Sequence, residues 1–352
     1  MWDEYYVAVI KKGKNNLGDL IIKCIDKSTM EDQIHVFMDS FSHNTDEYKT
    51  ISIKWEKKHF QNPVGDSFIF GAFDAGMLVG INCFLQMRYD YNGEKIKVLQ
   101  SCESGVKKSY QRQGIWGKIM AFAREYLLEN TDTDIIIGFP NFQNSYPGFV
   151  KLGWKTLLFE KNMVLINSGS KILEMYFGKR WWNVIGHLLE IQRIIIELKA
   201  SPRYSVIKSQ NCMHKKNSDR MVTLKCNSEW LEWKQCYAGI ETYEIRKKEK
   251  KIAYVITQEE FMHGLKYLKI LDYFAVDDKK EKDAALASFL KFVKKKDYSL
   301  IRVWNKDEMI YKKLGFIELK RHVNPFIINL LNEKKKFLEN KNLWNPSFLD
   351  LD

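Results

Sequence analysis

The spacing of apolar residues along the first half of the chain alternates between the two-residue period of strands and the 3.6-residue period of helices. Asp74-Ala75-Gly76 and Tyr91-Asn92-Gly93-Glu94 have the composition of hairpin turns. Thr45 and Asp46 stand in cap positions between two helical segments. The pattern predicts one strand, two helices and three antiparallel strands, over residues 20–26, 29–42, 46–58, 67–73, 77–88 and 96–106.

The stretch after the last of these strands has the composition of an anion-binding turn. It runs Tyr-Gln-Arg-Gln-Gly-Ile-Trp-Gly-Lys from Tyr110 to Lys118 and opens a helix that is predicted to end near Asn130. The first N–H groups of a helix lack intrahelical partners, and the positive end of the helix dipole lies behind them. Gly114 has no Cβ, so the backbone can approach a phosphate closely. We therefore predict a pyrophosphate site at this turn.

A second αβ pattern follows this helix. The apolar run 134–139 predicts a short strand, and Asn141 lies in the polar loop behind it. A short helix is predicted to begin near Tyr146 and to end at Leu152-Gly153-Trp154, before another strand.

The second half of the chain repeats this order in a weaker form. It predicts a hairpin, a strand, a helix and a strand over 241–256, 267–276, 283–295 and 298–304. Asn305 then corresponds to Asn141, and Leu314-Gly315-Phe316 corresponds to Leu152-Gly153-Trp154.

The repeat lacks the glycine turn. Asp277, Asp278 and Glu281 stand at the start of its helix, and negative side chains there repel a pyrophosphate. We therefore expect residues from about 203 onward to be a degenerate copy, in which Tyr311 is structural.

Residues 171–199 carry apolar side chains at near-helical spacing, with Glu174 and Glu190 among the polar positions. Gly178 interrupts the pattern. A connector that packs two domains together fits better than a membrane-surface helix.

At about 150 residues per domain, a chain of 352 residues suggests two domains. We predict a first domain over 1–166, a helical connector over 167–202 and a second domain over 203–352.

Composition narrows the class of protein. No run approaches 18 apolar residues, and the N-terminus has no basic segment followed by an apolar one, so neither a membrane span nor a signal peptide is expected. The six cysteines form no C-x-x-C pair and no metal-type spacing with the histidines. We predict reduced thiols, a cytoplasmic location and no metal. The net charge of +12 arises from dispersed lysines, which favours a solvated surface with a mild preference for anionic ligands.

Together, the basic glycine turn, the later Asn and the Leu-Gly-aromatic element resemble the GNAT superfamily of acyl-CoA-dependent N-acyltransferases. The resemblance implies an α/β (α+β) fold of two tandem GNAT-like domains, each a mixed, mostly antiparallel sheet flanked by helices. It implies coenzyme A as cofactor, with its pyrophosphate at the turn and Asn141 on the pantetheine arm. The turn residues are Gln111, Arg112, Gln113, Gly114, Ile115, Trp116, Gly117 and Lys118. Trp116 stands where the family usually has Gly or Ala, and Phe149 where it often has the tyrosine that protonates the CoA thiolate.

The resemblance also implies that the strand before the turn holds pantetheine through the backbone of Ser104, Gly105 and Val106. Glu103 is the candidate general base, and its alternative role is that of an ordinary charged strand residue. Tyr146 is the candidate general acid. Strand alternation would direct Cys102 and Glu103 to opposite faces, which favours a structural role for Cys102 over a thioester mechanism. The candidate acceptor-binding residues are Gln86, Arg88 and Tyr89.

Over most of the chain the sequence looks like acyltransferases of surface-polysaccharide pathways, which acylate the amine of a nucleotide-linked amino-deoxy sugar, such as a dTDP-amino-deoxyhexose of O-antigen. That resemblance implies an acetyl or short hydroxyacyl donor and no nucleic acid partner. The alternatives are acetylation of another small-molecule amine, an aminoacyl-tRNA-dependent peptidyl transferase, and a non-catalytic acyl-CoA-binding module. The sequence leaves the oligomeric state open, a homo-oligomer included.

Overall fold

The computed structural model describes residues 7–10, 20–177, 186, 190, 192–209, 221–275, 278–304 and 308–350. The chain divides into two compact units. Unit 1 comprises Met1–Leu158, Asn217–Lys225 and Pro325–Trp344, and unit 2 comprises Phe159–Lys216, Cys226–Asn324 and Asn345–Asp352.

The sheet of unit 1 is mostly antiparallel. Its strands are β1 Val7–Ile10, β2 Leu20–Ile25, β3 Phe68–Asp74, β4 Met77–Tyr91, β5 Glu94–Val106 and β6 Ile135–Gly138, in this spatial order. β5 and β6 are parallel, since a helix connects them. Ile327–Leu330 of β14 (Ile317–Leu330) pair antiparallel with β6, and the short β9 (Thr223–Leu224) pairs with β4.

Two helical layers cover this sheet. α1 Met30–Phe41 and α2 Tyr48–Phe60 pack on one face, around a core that includes Ile34, Trp55 and Cys83. α3 Ile115–Asn130 and α4 Tyr146–Lys151 enclose a second core with Phe70 and Phe84 of the sheet. Side chains alternate across β4, so neighbouring positions of that strand face different helical layers.

Unit 2 has the same kind of architecture. Its sheet runs β7 Lys155–Ile166, β13 Leu300–Trp304, β12 Leu265–Ala275, β11 Lys250–Met262, β10 Ile240–Lys247 and β8 Tyr204–Ser209, and β12 and β13 are the parallel pair. Its helices are α5 Gly169–Phe177, α6 Gln192–Lys199, α7 Ser228–Ala238, α8 Lys279–Lys294 and α9 Glu308–Lys313. α6 and α8 contribute Ile196, Phe289 and Leu290 to the core of this unit.

The predicted fold class is confirmed: in each unit the strands form mixed, mostly antiparallel pairs and are flanked by helices. The division of the sequence at 166 and 203 stays a prediction. β7 and β14 each contribute residues to both units, because the unit boundaries fall after Leu158 and after Asn324. No helix among the described residues is long and apolar enough to cross a membrane.

Candidate active site

The parallel strands β5 and β6 separate within unit 1. Their pairing extends from Val98–Ile135 to Ser101–Gly138 and stops there, whereas β5 continues to Val106 along β4. Beyond Ser101, the edge of β5 that faced β6 is therefore open to other hydrogen-bonding partners. The backbone of Ser104, Gly105 and Val106 lies on this part of the strand.

A β-bulge lies at the point of separation. Ile81 faces Gly105 and Cys83 faces Cys102, so Glu103 and Ser104 both stand opposite Asn82. Glu103 has a φ of 36°, which is uncommon for a residue with a Cβ. The bulge changes the direction in which the Glu103 side chain leaves the strand.

The fully buried Asn82 side chain holds the bulge from β4. Its carboxamide nitrogen donates to Ser101 Oγ and to the Cys83 carbonyl, both at 3.2 Å. Its carboxamide oxygen accepts from Ser104 Oγ and from the Trp116 indole nitrogen, the latter at 3.3 Å. One side chain thus ties both ends of the bulge to the first turn of α3.

Glu103 is in contact with two basic side chains from the last turn of α2. Its Oε1 forms an ion pair with Lys58 Nζ, and its Oε2 lies 3.5 Å from His59 Nε2. The His59 ring is fully buried, and its Nδ1 lies 2.9 Å from Ser67 Oγ. Burial is the main cause that raises the pKa of the neighbouring Cys83 thiol well above its ordinary value, and the Glu103 charge adds to it.

The expected opposite orientation of Cys102 and Glu103 is wrong. Cys102 packs against the core under α1 and α2, and Glu103 meets α2 on the same side of the sheet. The extra residue of the bulge interrupts the strict alternation on which the expectation depended.

The turn before α3 presents an open helix N-terminus. Gly114 has a φ of 76°, and no side chain of the described residues caps the helix there. Within the part of the chain that the structure describes, a Cβ built on Gly114 or Gly117 would meet no atom of another element within 4 Å. The first intrahelical bond runs from the Lys118 N–H to the Gly114 carbonyl, so the preceding N–H groups of Ile115, Trp116 and Gly117 are directed toward this space.

The side chains of the turn divide into two groups. Gln111 Nε2 donates to the Val106 carbonyl at 3.0 Å, and Gln113 Nε2 donates to the Ser109 carbonyl at 3.2 Å, so both glutamines stabilise the loop itself. Arg112 is exposed, with a φ of 61°, and Lys118 is half-buried in the first turn of the helix. These two cations stand beside the free N–H groups, an arrangement that suits a diphosphate.

Trp116 fills the space between α3 and α4. A Cβ on Gly148 would lie 2.8 Å from the Trp116 ring, so the indole packs directly on the Gly148 backbone. Phe149 lies between Trp116 and Trp154, with ring centroids 4.9 and 4.8 Å away, and is 4% exposed. The position at which the family often has a tyrosine is therefore a closed aromatic stack.

Tyr146 begins α4, and Asn141 lies in the loop between β6 and α4. The Tyr146 hydroxyl is 3.0 Å from Thr156 Oγ1, and its ring stacks on Phe142. Asn141 Oδ1 accepts from the Gln143 and Asn144 N–H groups and shapes the loop after β6. Asn141 is exposed at the end of the strand that separates from β5.

Part of the chain is similar to a known protein family. Residues 22–157 match the family described as acetyltransferase (GNAT) domain. This range includes the bulge, the open turn and α4. The predicted enzyme class, a GNAT-type N-acyltransferase, is confirmed.

Solved structures share the fold of this chain at low sequence identity. A GCN5-related N-acetyltransferase from Anabaena variabilis is 11% identical, with a TM-score of 0.60, and the match covers 89% of this chain and 73% of that one. A probable N-acyltransferase from Enterococcus faecalis is 12% identical, with a TM-score of 0.59 and the same coverage. Eis1 from Mycobacterium abscessus is 10% identical, with a TM-score of 0.57, over 91% of this chain and 75% of that one. No curated protein sequence matches the chain.

The three predicted acceptor residues lie away from the bulge of β5. Gln86 Nε2 donates to the Asp66 carbonyl at 2.8 Å, and Tyr89 is 2% exposed beneath Trp344. Arg88 is exposed, but it follows Asn82 by six residues, a separation of about 20 Å along an extended strand. The structure does not bring these three side chains together with Glu103.

The corresponding helix of unit 2 begins differently. The Asp278 carboxylate accepts from the N–H groups of Lys280 and Glu281 and so caps α8. The carboxylate takes the place that an anion would need. Tyr311 is buried against Phe316 in the core of unit 2, while Asn305 and Asp277 lie outside the described residues.

Sequence reasoning missed Asn82, Lys58 and His59. Asn82 lies in the apolar first half of β4, an unusual place for a carboxamide and the one available signal. Lys58 and His59 end a helix rich in lysine, and the pattern does not distinguish them from solvated residues. No group of three or more candidate metal ligands occurs among the described residues.

Proposed function

We propose that the GNAT domain binds acyl-CoA and transfers an acetyl or short hydroxyacyl group to the amine of a nucleotide-linked amino-deoxy sugar, in the cytoplasm, as a step of surface-polysaccharide synthesis. The observation that carries the cofactor assignment is the open N-terminus of α3 at Gly114. The contrast with α8, whose N-terminus the Asp278 carboxylate fills, supports a single cofactor site in unit 1.

In this proposal the CoA diphosphate accepts hydrogen bonds from the N–H groups of Ile115, Trp116 and Gly117. Arg112 and Lys118 neutralise its charge. The pantetheine arm runs between the separated strands, beside the backbone of Ser104 to Val106 and near Asn141. A thioester at the bulge is then next to Glu103.

Transfer requires a deprotonated amine, and Glu103 is the proposed base, directly or through a water. The attacking amine loses its proton to Glu103, the C–N bond forms as the C–S bond breaks, and the thiolate takes up a proton. Tyr146 is the proposed acid, because Phe149 has no hydroxyl. The hydroxyl of Tyr146 reaches Thr156 at 3.0 Å, so the pair can re-orient a proton between two oxygens.

Two features support a nucleotide-linked acceptor. α1 passes directly over the strand, since a Cβ on Gly105 would lie 2.8 Å from Ser40 Oγ. The next residue, Phe41, is 56% exposed and lies beside the rings of Phe37 and His43. An exposed aromatic ring of this kind is suited to stack on a nucleobase.

The test is a thiol-release assay with a panel of acyl-CoAs and three classes of acceptor: nucleotide-linked amino sugars, the same sugars without the nucleotide, and simple polyamines. We expect release with one nucleotide-linked amino sugar at a kcat/KM at least tenfold above that of the free sugar. Equal rates for free and linked sugars would refute the proposal that the acceptor carries a nucleotide. CoA binding without thiol release with any amine would indicate a binding module. Inhibition of thiol release by tRNA would favour the peptidyl-transferase alternative.

A further inference from the structure

Lys58 is an unusual lysine. Its side chain is 8% exposed, whereas lysine is rarely buried in proteins unless it is paired. It belongs to the last turn of α2, and its ammonium forms an ion pair with Glu103 at the bulge of β5. An amine is thus already in contact with the carboxylate that we propose as the base for amine acylation.

The surroundings of this pair are defined by the fold. The bulge and the end of the β5–β6 pairing fix Glu103 at the point where the strands separate. Glu103 also lies 3.5 Å from His59, so two basic groups hold both of its oxygens. The Lys58 amine therefore reaches the same carboxylate as an external acceptor amine would, without any movement of the backbone.

We propose that Lys58 is itself an acceptor, so that the protein acylates its own Lys58 side chain when acyl-CoA is bound and no external amine is present. This activity rests on the proposed acyl-CoA site at the Gly114 turn. It is an intramolecular reaction, and its rate does not depend on protein concentration.

The step is a simple aminolysis of a thioester. Glu103 takes one proton from the Lys58 ammonium, and the neutral amine attacks the thioester carbonyl carbon. The new C–N bond forms, the C–S bond breaks, and the CoA thiolate leaves and takes up the second proton that the amine nitrogen loses. The products are a neutral amide on Lys58 and free CoA. Because the amide carries no charge, Glu103 loses its ion-pair partner after the reaction.

The same helix supplies a matched control. Lys54 lies one turn before Lys58 on α2, but it is exposed. Unspecific chemical acylation by a thioester favours exposed amines, so it would label Lys54 at least as fast as Lys58. An enzymatic reaction at the bulge would label Lys58 and spare Lys54.

The experiment incubates the full-length protein with acetyl-CoA in the absence of acceptor and locates acetyl groups by peptide mass spectrometry. We expect one acetyl group on Lys58, retained in Lys54→Arg and absent in Lys58→Arg, which keeps the positive charge. Glu103→Gln should lower the labelling rate at least tenfold, with folding checked by circular dichroism. Acetyl phosphate, which lacks the CoA portion, should show no preference for Lys58.

Calorimetry with CoA distinguishes a failure of the proposed cofactor site from a failure of Lys58 self-acylation. If CoA binds and Lys58 remains unmodified, self-acylation is refuted while the cofactor site stands. If Lys54 and Lys58 are labelled equally, the reaction is chemical and self-acylation is again refuted. If CoA does not bind, the proposed function and the self-acylation fail together.

Discussion

The indole nitrogen of Trp116 donates to the side-chain oxygen of Asn82 at 3.3 Å. This bond joins the first turn of α3, which carries the open N–H groups, to the bulge that presents Glu103. The cofactor turn and the candidate base are therefore held by one buried carboxamide, which also binds Ser101 and Ser104. A displacement of the Asn82 carboxamide would therefore affect both the cofactor turn and Glu103.

We predict that Asn82→Ala lowers the free energy of unfolding by about 2–4 kcal/mol, because several partly buried polar groups lose their partner at once. We expect kcat to fall further than the KM for acyl-CoA changes, since the bulge positions Glu103. Urea denaturation and steady-state kinetics measure the two effects. Asn130→Ala, at the exposed end of α3, is the matched control, and equal losses in both variants would contradict the bracing role of Asn82.

We predict that Glu103→Gln lowers kcat about a hundredfold, because general base catalysis contributes roughly 10²–10⁴-fold. The loss should be largest at low pH, where the acceptor amine most needs help to lose its proton. A pH–rate profile from pH 6 to pH 10 measures this. Glu94→Gln, at the exposed start of the same strand, should leave the profile unchanged. Parallel profiles for wild type and Glu103→Gln would exclude Glu103 as the base.

We predict that Asp278→Ala lowers Tm at neutral pH, because the first N–H groups of α8 lose the carboxylate that caps them. The hydrogen bond from the Glu281 N–H is the main cause that lowers the pKa of Asp278 below 3.8. Since the folded-state pKa is depressed, the stabilisation is present above the unfolded value and disappears as pH falls through the folded value. Thermal melts from pH 7 to pH 2 should show the difference in Tm between wild type and variant shrinking below about pH 4.

Asp278→Asn keeps a capping oxygen without the charge, so its Tm should remain closer to that of wild type than the Tm of Asp278→Ala. The KM for acyl-CoA should stay unchanged in both variants. A rise in that KM would contradict the assignment of cofactor binding to unit 1 alone.

Much of the fold could be predicted from local patterns. The predicted strand from 96 to 106 and the helix that ends near Asn130 correspond to β5 and α3, because each has a clear period and a clear turn beside it. α7 and β8 were not predicted. α7 has tryptophans and charges with little periodicity, and the pairing of β8 with β10 is set by tertiary contacts.

The candidate site also has parts that the sequence predicts and parts that it does not. The turn at Gly114 could be found because the geometry of a helix N-terminus is local to a few residues. The bulge at Glu103 could not be found from the sequence, because an extra residue in one strand is defined only relative to its partner strand. For the same reason, the contacts of Glu103 with Lys58 and His59, residues more than forty positions earlier, have no signal in the sequence.

The most direct test of the central claim is the dissociation constant of CoA measured by calorimetry for Gly114→Ala and Gly93→Ala. Both glycines have a positive φ, 76° at Gly114 and 80° at Gly93, and a Cβ on either would meet no neighbouring atom of the described residues within 4 Å. Alanine therefore adds a similar backbone strain of roughly 1 kcal/mol at both positions. If the CoA diphosphate binds the N–H groups of α3, Gly114→Ala should weaken CoA binding about tenfold or more, and Gly93→Ala, in the hairpin between β4 and β5, should leave it unchanged. Equal dissociation constants for the two variants and the wild type would contradict the account.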